Sequence, residues 1–258
     1  MSIKPPMERR EIIAERLAQG RPVSAAMLAN EFAMSPDAIR RDLRMLVAEG
    51  RCRRVYGGAL PLSPASAPIA IRVEEMLDRK QALAEAAVSL IRPGEFLFLD
   101  SGSTNLALAR LLPGLDLTVA TNSAAIAASL ANRRDLLLLL TGGVVTPEVG
   151  GCIDATSVLA VQQMNVDRCF LGVCSLSEEQ GISAFDAADA LFKRTLIANS
   201  RSVVTMLITD KLGTRAPHRV AALDEIDTVV VEHDAPTHAE FKALERLDMS
   251  IVIASPPV

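Results

Sequence analysis

Four apolar runs in the last two thirds of the chain each end in small polar residues or glycine. Those ends are Asp100-Ser-Gly-Ser-Thr104, Thr121-Asn122, Thr141-Gly142-Gly143 and Gly172. A Ser/Gly/Thr loop that opens onto a helix offers backbone amides, hydroxyl donors and the positive end of the helix dipole, all of which suit a phosphate. We therefore predict a phosphate site in this region, although a single loop of this kind is often only a helix cap. The predicted ligand residues are Asp100, Ser101, Gly102, Ser103, Thr104, Thr121, Asn122, Gly142 and Gly143.

The carboxylate of Asp100 opens the first of these loops. We expect it to accept hydrogen bonds from the hydroxyls of a sugar; in an enzyme the same position would face a reacting carbon.

A second group of residues, near the amino terminus, has the chemistry of a DNA contact. Arg40 and Arg44 lie four residues apart on one face of a predicted helix, and guanidinium groups can pair with guanine edges or clamp phosphates. Asp37 is equally suited to hold Arg41 through a helical pair four residues apart, which would make both of them positioning groups. The predicted DNA-binding residues are Ser24, Ser35, Asp37, Arg40, Arg41, Arg44, Arg53, Arg54 and Tyr56.

The elements that must position these arginines form a winged helix-turn-helix. Ser24 is predicted to cap a helix that runs to about Phe32, and Ser35, followed by proline, starts a second helix. A basic hairpin is predicted over residues 51–59, where it would add phosphate contacts as a wing. The apolar face of the second helix is expected to pack against the preceding helices. Its residues and their expected partners are Ile39, Leu43, Leu46, Ile12, Ile13, Leu17, Leu28 and Phe32.

The larger remainder of the chain alternates short apolar runs with helical patterns, which indicates a mostly parallel, doubly wound α/β sheet. Predicted strands are Phe96–Leu99, Leu117–Thr121, Leu136–Leu140, Cys169–Val173, Val203–Ile208, Thr228–Val231 and Ile251–Ala254. Predicted helices are Arg79–Ile91, Asn105–Leu111, Ala124–Ala131, Ala187–Asn199 and His238–Leu247. We predict a DNA-binding domain over residues 1–60, a proline-containing linker over 61–75 and an α/β ligand-binding domain over 76–258. Ligands of such sheets collect at the carboxyl ends of the strands.

Charge is divided between these parts. Residues 1–60 carry 11 Lys and Arg against 7 Asp and Glu, whereas residues 61–258 carry 16 against 24. Only the first part is therefore expected to meet a polyanion. The four cysteines and three histidines lack the spacing of metal sites, so we predict no metal and no cofactor. Neither a signal peptide nor a membrane-spanning run is recognisable, which predicts a cytoplasmic protein with no membrane partner.

The pattern Ser35 … Ile39-Arg-Arg-Asp-Leu43 … Leu46 … Glu49-Gly50 … Arg53-Arg-Val-Tyr-Gly-Gly-Ala59 resembles the amino-terminal signature of the DeoR family of bacterial repressors. Tyr56 stands where the family more often has histidine, and Asp37-Ala38 where it often has Met-Thr. The resemblance continues through Asp100-Ser-Gly-Ser-Thr104, Thr121-Asn122, Gly142-Gly143, Asp167, Phe170-Leu-Gly-Val173 and Lys193-Arg194, and so spans residues 7 to 232.

The resemblance implies more than the residues do by themselves. The second domain would be similar to the fold shared by ribose-phosphate isomerase and coenzyme A transferases, and would bind a phosphorylated sugar or related intermediate. Asp189, Lys193 and Lys211 would belong to the ligand site, although Lys193 judged without the family is more simply a solvated helix residue. Ile208 replaces an aspartate that is common in the family, and a one-residue shift would let Asp210 substitute for it.

Two classes of function are compatible with these patterns. The first is a repressor of a carbohydrate catabolic operon, not an enzyme, which binds double-stranded operator DNA as a homodimer or homotetramer and responds to a phosphorylated metabolite. The alternative is a sugar-phosphate isomerase or transferase with an accessory DNA-binding domain, in which Asp100 and Lys211 would be an acid/base pair. No supporting catalytic constellation is recognisable, and the repressor is therefore our prediction.

Overall fold

The amino-terminal part is a three-helix unit closed by a small antiparallel sheet. It belongs to a computed structural model that describes residues 6–18, 23–49, 51–55, 57–60, 65 and 67–257. Its elements are α1 (Pro6–Ala18), β1 (Val23–Ser24), α2 (Ala25–Glu31), α3 (Pro36–Ala48), β2 (Arg53–Val55) and β3 (Gly58–Leu60). The three strands pair in the order β1-β3-β2, so the predicted basic hairpin is present.

The two helix starts predicted from serines differ in how they are capped. Ser35 accepts a hydrogen bond from the Ala38 amide at 3.2 Å, and Pro36 occupies the first helical position. Ser24 precedes α2, but its side chain makes no capping bond. The reason is local: Ser24 lies in β1, and the Ala25 amide donates instead to the Gly57 carbonyl of the wing at 2.7 Å. The wing thus caps α2 in place of the predicted serine.

The helix-turn-helix core is built from the predicted apolar face of α3. Ile39, Leu43 and Leu46 are buried with Ile13, Leu17 and Leu28, and Phe32 packs against them. Ile12 is an exception, because it is only partly buried and lies outside this cluster. One buried ion pair joins the first and third helices. The guanidinium of Arg9 donates to the Asp42 carboxylate at 2.6 Å, and neither side chain exceeds 8% exposure.

The larger part is an α/β unit whose elements follow in chain order. They are α4 (Ile69–Glu74), α5 (Leu77–Val88), β4 (Phe96–Leu99), α6 (Ser103–Leu111), β5 (Leu117–Thr121), α7 (Ala124–Leu130), β6 (Leu136–Leu140), β7 (Val145–Thr146), β8 (Gly151–Cys152), α8 (Ala155–Gln162), β9 (Arg168–Leu171), β10 (Ser175–Ser177), β11 (Gly181–Ala184), α9 (Ala187–Ala198), β12 (Val203–Leu207), β13 (His218–Ala221), β14 (Thr228–Val231), α10 (Phe241–Leu244) and β15 (Ser250–Ile253). Helix α4 falls within the segment 61–75 that was predicted as a linker.

Seven parallel strands form the main sheet in the order β15-β14-β12-β9-β4-β5-β6. These are the seven strands predicted from the apolar runs, and the parallel α/β class is confirmed. Apolar clusters cover both faces of the sheet, one containing Phe98 and Phe192 and the other containing Phe170. β4 lies at the centre of the sheet between β5 and β9. The loops that follow β4 and β9 are therefore neighbours.

Some elements were not predicted from the pattern. β10, β11 and β13 form a separate antiparallel sheet, β7 pairs with β8, and α8 follows that hairpin. These strands are only two to four residues long, too short for a period-two pattern to be recognised. The predicted helix over His238–Leu247 is reduced to the four residues of α10. A 3₁₀ turn at Ala235–Thr237 precedes it.

No helix among the described residues is long and apolar enough to cross a membrane. Within the same ranges, no three His, Cys, Asp or Glu side chains converge as metal ligands would. All four cysteines are free thiols.

Candidate functional site

A cavity of about 300 Å³ opens at the carboxyl ends of β4, β9 and β12. The loop at 101–105 after β4 forms one wall, and Leu171 to Cys174 after β9 form another. This is the position where a parallel sheet is expected to hold a ligand. Its volume lies at the lower end of the range for small-molecule sites.

The predicted phosphate loop lines this cavity at the amino terminus of α6. Gly102 occupies the cap position and provides no side chain, so no side-chain bond caps the first turn of the helix. Ser101 is held through its backbone amide, which donates to Asn122 Oδ1 at 2.9 Å. Its hydroxyl is buried and has no hydrogen-bond partner among the described residues. Free helix-terminal amides beside an unused hydroxyl are the groups that an anion would use.

Lys193 lies in the cavity wall between two carboxylates. Its ammonium is 3.0 Å from Asp100 and also pairs with Asp189, one turn earlier on α9. Lys193 is only 2% exposed, so its interpretation as a solvated helix residue is wrong. Burial by itself would lower the pKa of Lys193, but the two carboxylates outweigh it and raise that pKa. Lys193 is therefore a fixed cation.

Asp100 is held in place and does not line the cavity. One of its oxygens accepts from the Gly172 amide at 2.9 Å and contacts Lys193, while the other has no partner among the described residues. Burial raises the pKa of Asp100, against the opposing effect of Lys193. Gly172 must remain glycine, since an added Cβ would lie 2.7 Å from the Ser101 carbonyl oxygen. The expected contact of Asp100 with sugar hydroxyls is thus replaced by a contact with Lys193.

Lys211 reaches the cavity from the 3₁₀ turn after β12. Its ammonium donates to the Val173 carbonyl at 2.6 Å, and no carboxylate of the described residues pairs with it. Burial, together with neighbouring cations, lowers the pKa of Lys211 to about 8. Lys211 is therefore a second cation of the cavity, one that has no paired carboxylate among the described residues and loses its proton as the pH rises through about 8.

Asp210, the residue before Lys211, does not place its carboxylate where the family's aspartate was expected. Asp210 points away from the cavity and pairs with Arg79 of α5 at 3.0 Å. Ile208 is 2% exposed and belongs to the apolar cluster under α5 and α6. The expectation that Asp210 would substitute for the usual aspartate is wrong, because its carboxylate is already used by Arg79.

Besides Asp100, four of the predicted ligand residues lie outside the cavity. Thr121 donates its hydroxyl to the Leu99 carbonyl at 2.6 Å, and Asn122 binds Ser101 and Cys152, so both shape the loop from behind. Gly142 and Gly143 form the turn after β6, where both have positive φ angles. β6 is an edge strand, two places from the strands whose ends line the cavity. The turn itself does not line the cavity, although Thr146 and Glu148, which follow it in the chain, do.

The cavity also contains residues that the pattern did not indicate. They include Arg72 from α4, Asn105 from α6, and Cys174, Phe185 and Asp186 from the loops around β9 and β11. Cys174 Sγ lies 3.9 Å from Asp189, and burial raises the pKa of its thiol. Asn105 directly follows the recognised loop at 101–104, but Arg72, Phe185 and Asp186 come from segments without a recognised motif. Arg72 lies inside the predicted linker.

The predicted DNA-binding residues form an exposed basic surface on α3 and the wing. Arg40, Arg41, Arg44 and Arg54 are exposed. Asp37 pairs with Arg40 at 2.8 Å, three residues on, and not with Arg41, which was one of the two alternatives considered. Either spacing lies on one face of a helix, and Arg41 is exposed. Arg53 lies in β2, Ser35 serves as a cap, Ser24 is half-buried, and Tyr56 lies outside the described residues.

Family comparison covers both regions. Residues 9–65 match the model of the DeoR-like helix-turn-helix domain, and residues 75–233 match that of the DeoR C terminal sensor domain. The chain belongs to the DeoR family. The first match contains the α3 surface and the wing, whereas the second contains the walls of the cavity apart from Arg72 and its neighbours. The chain is thus a DNA-binding transcriptional regulator with a sensor domain, and the enzyme alternative is excluded.

The relatives that match this chain over most of their length are named as transcriptional regulators. The DeoR-family chain is 32% identical over 252 residues to an uncharacterized HTH-type transcriptional regulator, YgbI, of Escherichia coli K12, covering 96% of this chain and 98% of the relative. It is 30% identical over 231 residues to the glycerol-3-phosphate regulon repressor of the same organism, covering 89% and 92%. Among solved structures, ribose 5-phosphate isomerase A of Methanocaldococcus jannaschii matches with 18% identity and a TM-score of 0.39, covering 52% and 54%.

Proposed function

We propose that this DeoR-family regulator is a repressor of carbohydrate catabolic genes that binds operator DNA through α3 and the wing. A phosphorylated sugar or a related metabolite bound in the cavity would control it. The observation that carries the proposal is the convergence of the loop at 101–104 with two buried lysines, Lys193 and Lys211. The relatives include a glycerol-3-phosphate regulon repressor and a repressor named GlcR in Bacillus subtilis. Such a protein would act in the cytoplasm, where its operator is.

The proposed orientation of the ligand follows from charge. The phosphoryl group would accept from the Ser101 hydroxyl and from the amides at the start of α6, because these donors have no competing partner among the described residues. Lys211 would add a charge-assisted bond, since its one acceptor among the described residues is a neutral carbonyl. Lys193, balanced by Asp100 and Asp189, would fix the geometry of the wall.

The sugar part would lie toward the loop that carries Phe185 and Asp186. Asp186 and Asp189 are carboxylates that line the cavity, and they can accept hydrogen bonds from hydroxyl groups. The ring of Phe185 offers an apolar face beside them. A ligand with a phosphoryl group at one end and several hydroxyls at the other matches this division of the wall.

The DNA-binding surface supports major-groove recognition by α3. Its exposed face carries Arg40, Arg41 and Arg44, while the opposite face is packed into the helix-turn-helix core. Asp37 would release Arg40 to DNA, because a pair with 56% and 81% exposed side chains is weak in water.

We further propose that the regulator works as a homo-oligomer joined along β6. This edge strand consists of Leu136 to Leu140 and has no charge, proline or glycine to block pairing. Leu137, Leu139 and Leu140 are 59%, 37% and 53% exposed. In an antiparallel pair centred on Leu138, Leu137 would meet Leu139 of the second copy, and Asp135 would meet a threonine. No like charges would oppose each other, and two helix-turn-helix units would be available for symmetric half-sites.

Thermal unfolding of the full chain tests the ligand class. The probes are glycerol 3-phosphate, glucose 6-phosphate, fructose 1-phosphate and ribose 5-phosphate, each beside its unphosphorylated form. A ligand at 100 times its Kd adds about 2.7 kcal/mol to stability, which raises Tm by roughly 5 °C or more in a domain of this size. A rise with one phosphate ester but not with its free form supports the proposal. No rise with any ester would contradict it.

Selection from a random pool of DNA duplexes tests the other half of the function. The wild-type chain should enrich a repeated half-site, and the stabilising ester should change the Kd for that duplex. If no sequence is enriched, or if the Kd for the enriched duplex is the same with and without the ester, the proposal of a ligand-controlled repressor is contradicted.

A further inference from the structure

Helix α4 connects the two regions matched by family models and belongs to neither. It spans Ile69–Glu74, after the helix-turn-helix match ends at residue 65 and before the sensor match begins at residue 75. Three of the six positions in the helix are exposed, and none is fully buried. Its arginine, Arg72, nevertheless lines the cavity together with Ser103 and Lys193.

Contacts at both ends attach α4 to the sensor domain. At the start, the Ile69 amide donates to the Glu148 carbonyl at 3.1 Å, and the side chain of Ile69 lies against Gly150 so closely that a Cβ there would be 2.6 Å from it. At the end, the buried ammonium of Lys80 donates to the carbonyls of Arg72 and Glu75. α4 therefore sits on the β7–β8 hairpin and on α5 while it leads back toward the DNA-binding domain.

The guanidinium of Arg72 is only partly used by the protein. Nε donates to the Ala67 carbonyl at 2.8 Å, and Nη2 donates to the Glu148 carbonyl at 3.2 Å. Nη1 has no hydrogen-bond partner among the described residues, and no carboxylate of those residues lies within ion-pair distance of Arg72. A charged guanidinium held by two neutral carbonyls at a cavity wall has both charge and donors available for an anion.

We propose that Arg72 is a ligand-binding residue and that it contacts the phosphoryl group of the metabolite. This inference rests on the proposed function and adds a regulatory consequence to it. When the phosphoryl group engages Arg72, the connector α4 becomes part of the ligand site. The ligand then favours the arrangement of the connector in which Arg72 faces the cavity, and this preference is the differential affinity that control of DNA binding requires.

A purely structural role for Arg72 makes a different prediction from a ligand-binding one. Its bonds to Ala67 and Glu148 require only N–H donors, whereas a phosphoryl group responds to the positive charge as well. Arg72→Gln keeps amide donors and removes the charge. Arg72→Ala removes both, and Arg110→Ala removes an exposed arginine at the other end of α6. The set separates charge from hydrogen bonding and from general loss of an arginine.

The test uses the full chain and the phosphate ester that most raises its Tm, with inorganic phosphate as a second probe. Calorimetric titration should give a Kd at least about tenfold higher for Arg72→Gln and Arg72→Ala, because a hydrogen bond to a charged group is worth a factor of about ten or more. Arg110→Ala should keep the wild-type Kd. Hydrogen exchange at saturating ester should slow at the amides of 71–75 in the wild type but not in Arg72→Gln.

The outcomes distinguish this inference from the function on which it rests. If no ester stabilises the wild type, the proposed function fails and the role of Arg72 falls with it. If an ester stabilises the wild type but Arg72→Gln binds it equally well and protects the amides of α4 equally, the cavity is a ligand site and Arg72 is only structural. Equal unliganded Tm values for Arg72→Gln and the wild type show that the comparison is between folded proteins.

Discussion

The ammonium of Lys193 lies 3.0 Å from the carboxylate of Asp100, and neither side chain is more than 3% exposed. Asp189 completes the group from the preceding turn of α9. One buried cation thus keeps two buried carboxylates compatible with the fold, and it does so in the wall of the cavity. Lys193 is consequently expected to contribute both to the stability of the protein and to ligand binding.

Lys193→Met is expected to destabilise the protein and to abolish ligand binding. Removing one partner of a buried ion pair costs about 3–5 kcal/mol, because the remaining charges are left uncompensated in the interior. Urea unfolding measures the first effect, and thermal shift with the active phosphate ester measures the second. Adding Asp189→Asn to Lys193→Met should recover part of the stability without recovering binding. Lys242→Met, at an exposed lysine of α10, is the matched control. Full binding by a folded Lys193→Met protein would contradict this role.

Ligand affinity is expected to fall as pH rises above about 8. Burial lowers the pKa of Lys211 to about 8, and a bound phosphate raises it again, so the complex holds more protons than the free protein above that pH. The association constant should then decrease by up to about tenfold per pH unit. Lys193 does not add to this slope, since carboxylates raise its pKa, and burial keeps the Cys174 thiol neutral by raising its pKa.

Lys211→Arg is the control for this pH dependence, because a guanidinium stays charged throughout the range. Its titration should lose the decline above pH 8. Stability without ligand should change in the opposite direction: between pH 8 and 10.5 the unfolded chain binds more protons than the folded one, so the Lys211 contribution to stability grows with pH. An identical affinity decline in Lys211→Arg would assign the pH dependence to another group.

DNA binding and ligand binding are expected to be lost separately. Arg40→Ala and Arg44→Ala should each weaken operator binding by roughly tenfold or more, since a good arginine contact to a base is worth about 1–3 kcal/mol, and should leave the ester-induced rise in Tm unchanged. Ser103→Ala combined with Thr104→Ala should have the reverse effect. Electrophoretic mobility shift and thermal shift on the same preparations provide both measurements. Loss of both activities in both sets of variants would show that the two surfaces are not separable.

The DNA-binding domain is expected to be less stable in the Asp42→Ala variant than in the Asp37→Ala variant, in which the changed residue is exposed. Asp42 belongs to the motif that resembles a recognition helix, but its carboxylate is buried against Arg9 and contacts α1 instead of solvent. Leaving that guanidinium without its carboxylate should cost about 3 kcal/mol. Circular dichroism during urea unfolding measures the loss. If Asp42→Ala keeps its stability but loses DNA binding, Asp42 contacts DNA and the ion pair is secondary.

Leu137→Lys combined with Leu139→Lys is expected to convert the oligomer into monomers. Two lysines on one face of β6 would place like charges opposite each other in the second copy, which destabilises strand pairing. Light scattering after gel filtration gives the mass directly. Leu191→Lys, at a leucine of α9 that is 51% exposed, tests a different apolar position. Dissociation by Leu191→Lys alone would place the interface on α9 and contradict the proposal for β6.

Much of the architecture follows from local sequence. Apolar runs of four to six residues predicted all seven strands of the parallel sheet. For the inner strands the reason is that a strand buried on both faces must be apolar throughout. Ser35 and Pro36 mark the start of α3 through short-range capping. The loop at 101–104 was recognised for the same reason, since its small residues and the helix they open are neighbours in sequence.

Tertiary structure alone decided which residues meet in the cavity. Asp100 and Lys193 come from β4 and α9, and Arg72 comes from a segment whose proline-rich start predicted no helix. Gly142 and Gly143 looked equivalent to the other strand ends until the strand order placed β6 at the edge. Periodicity reports which face of an element is apolar, but not which distant element covers it. Contacts between residues far apart in the chain depend on strand order and packing, and these determine the site.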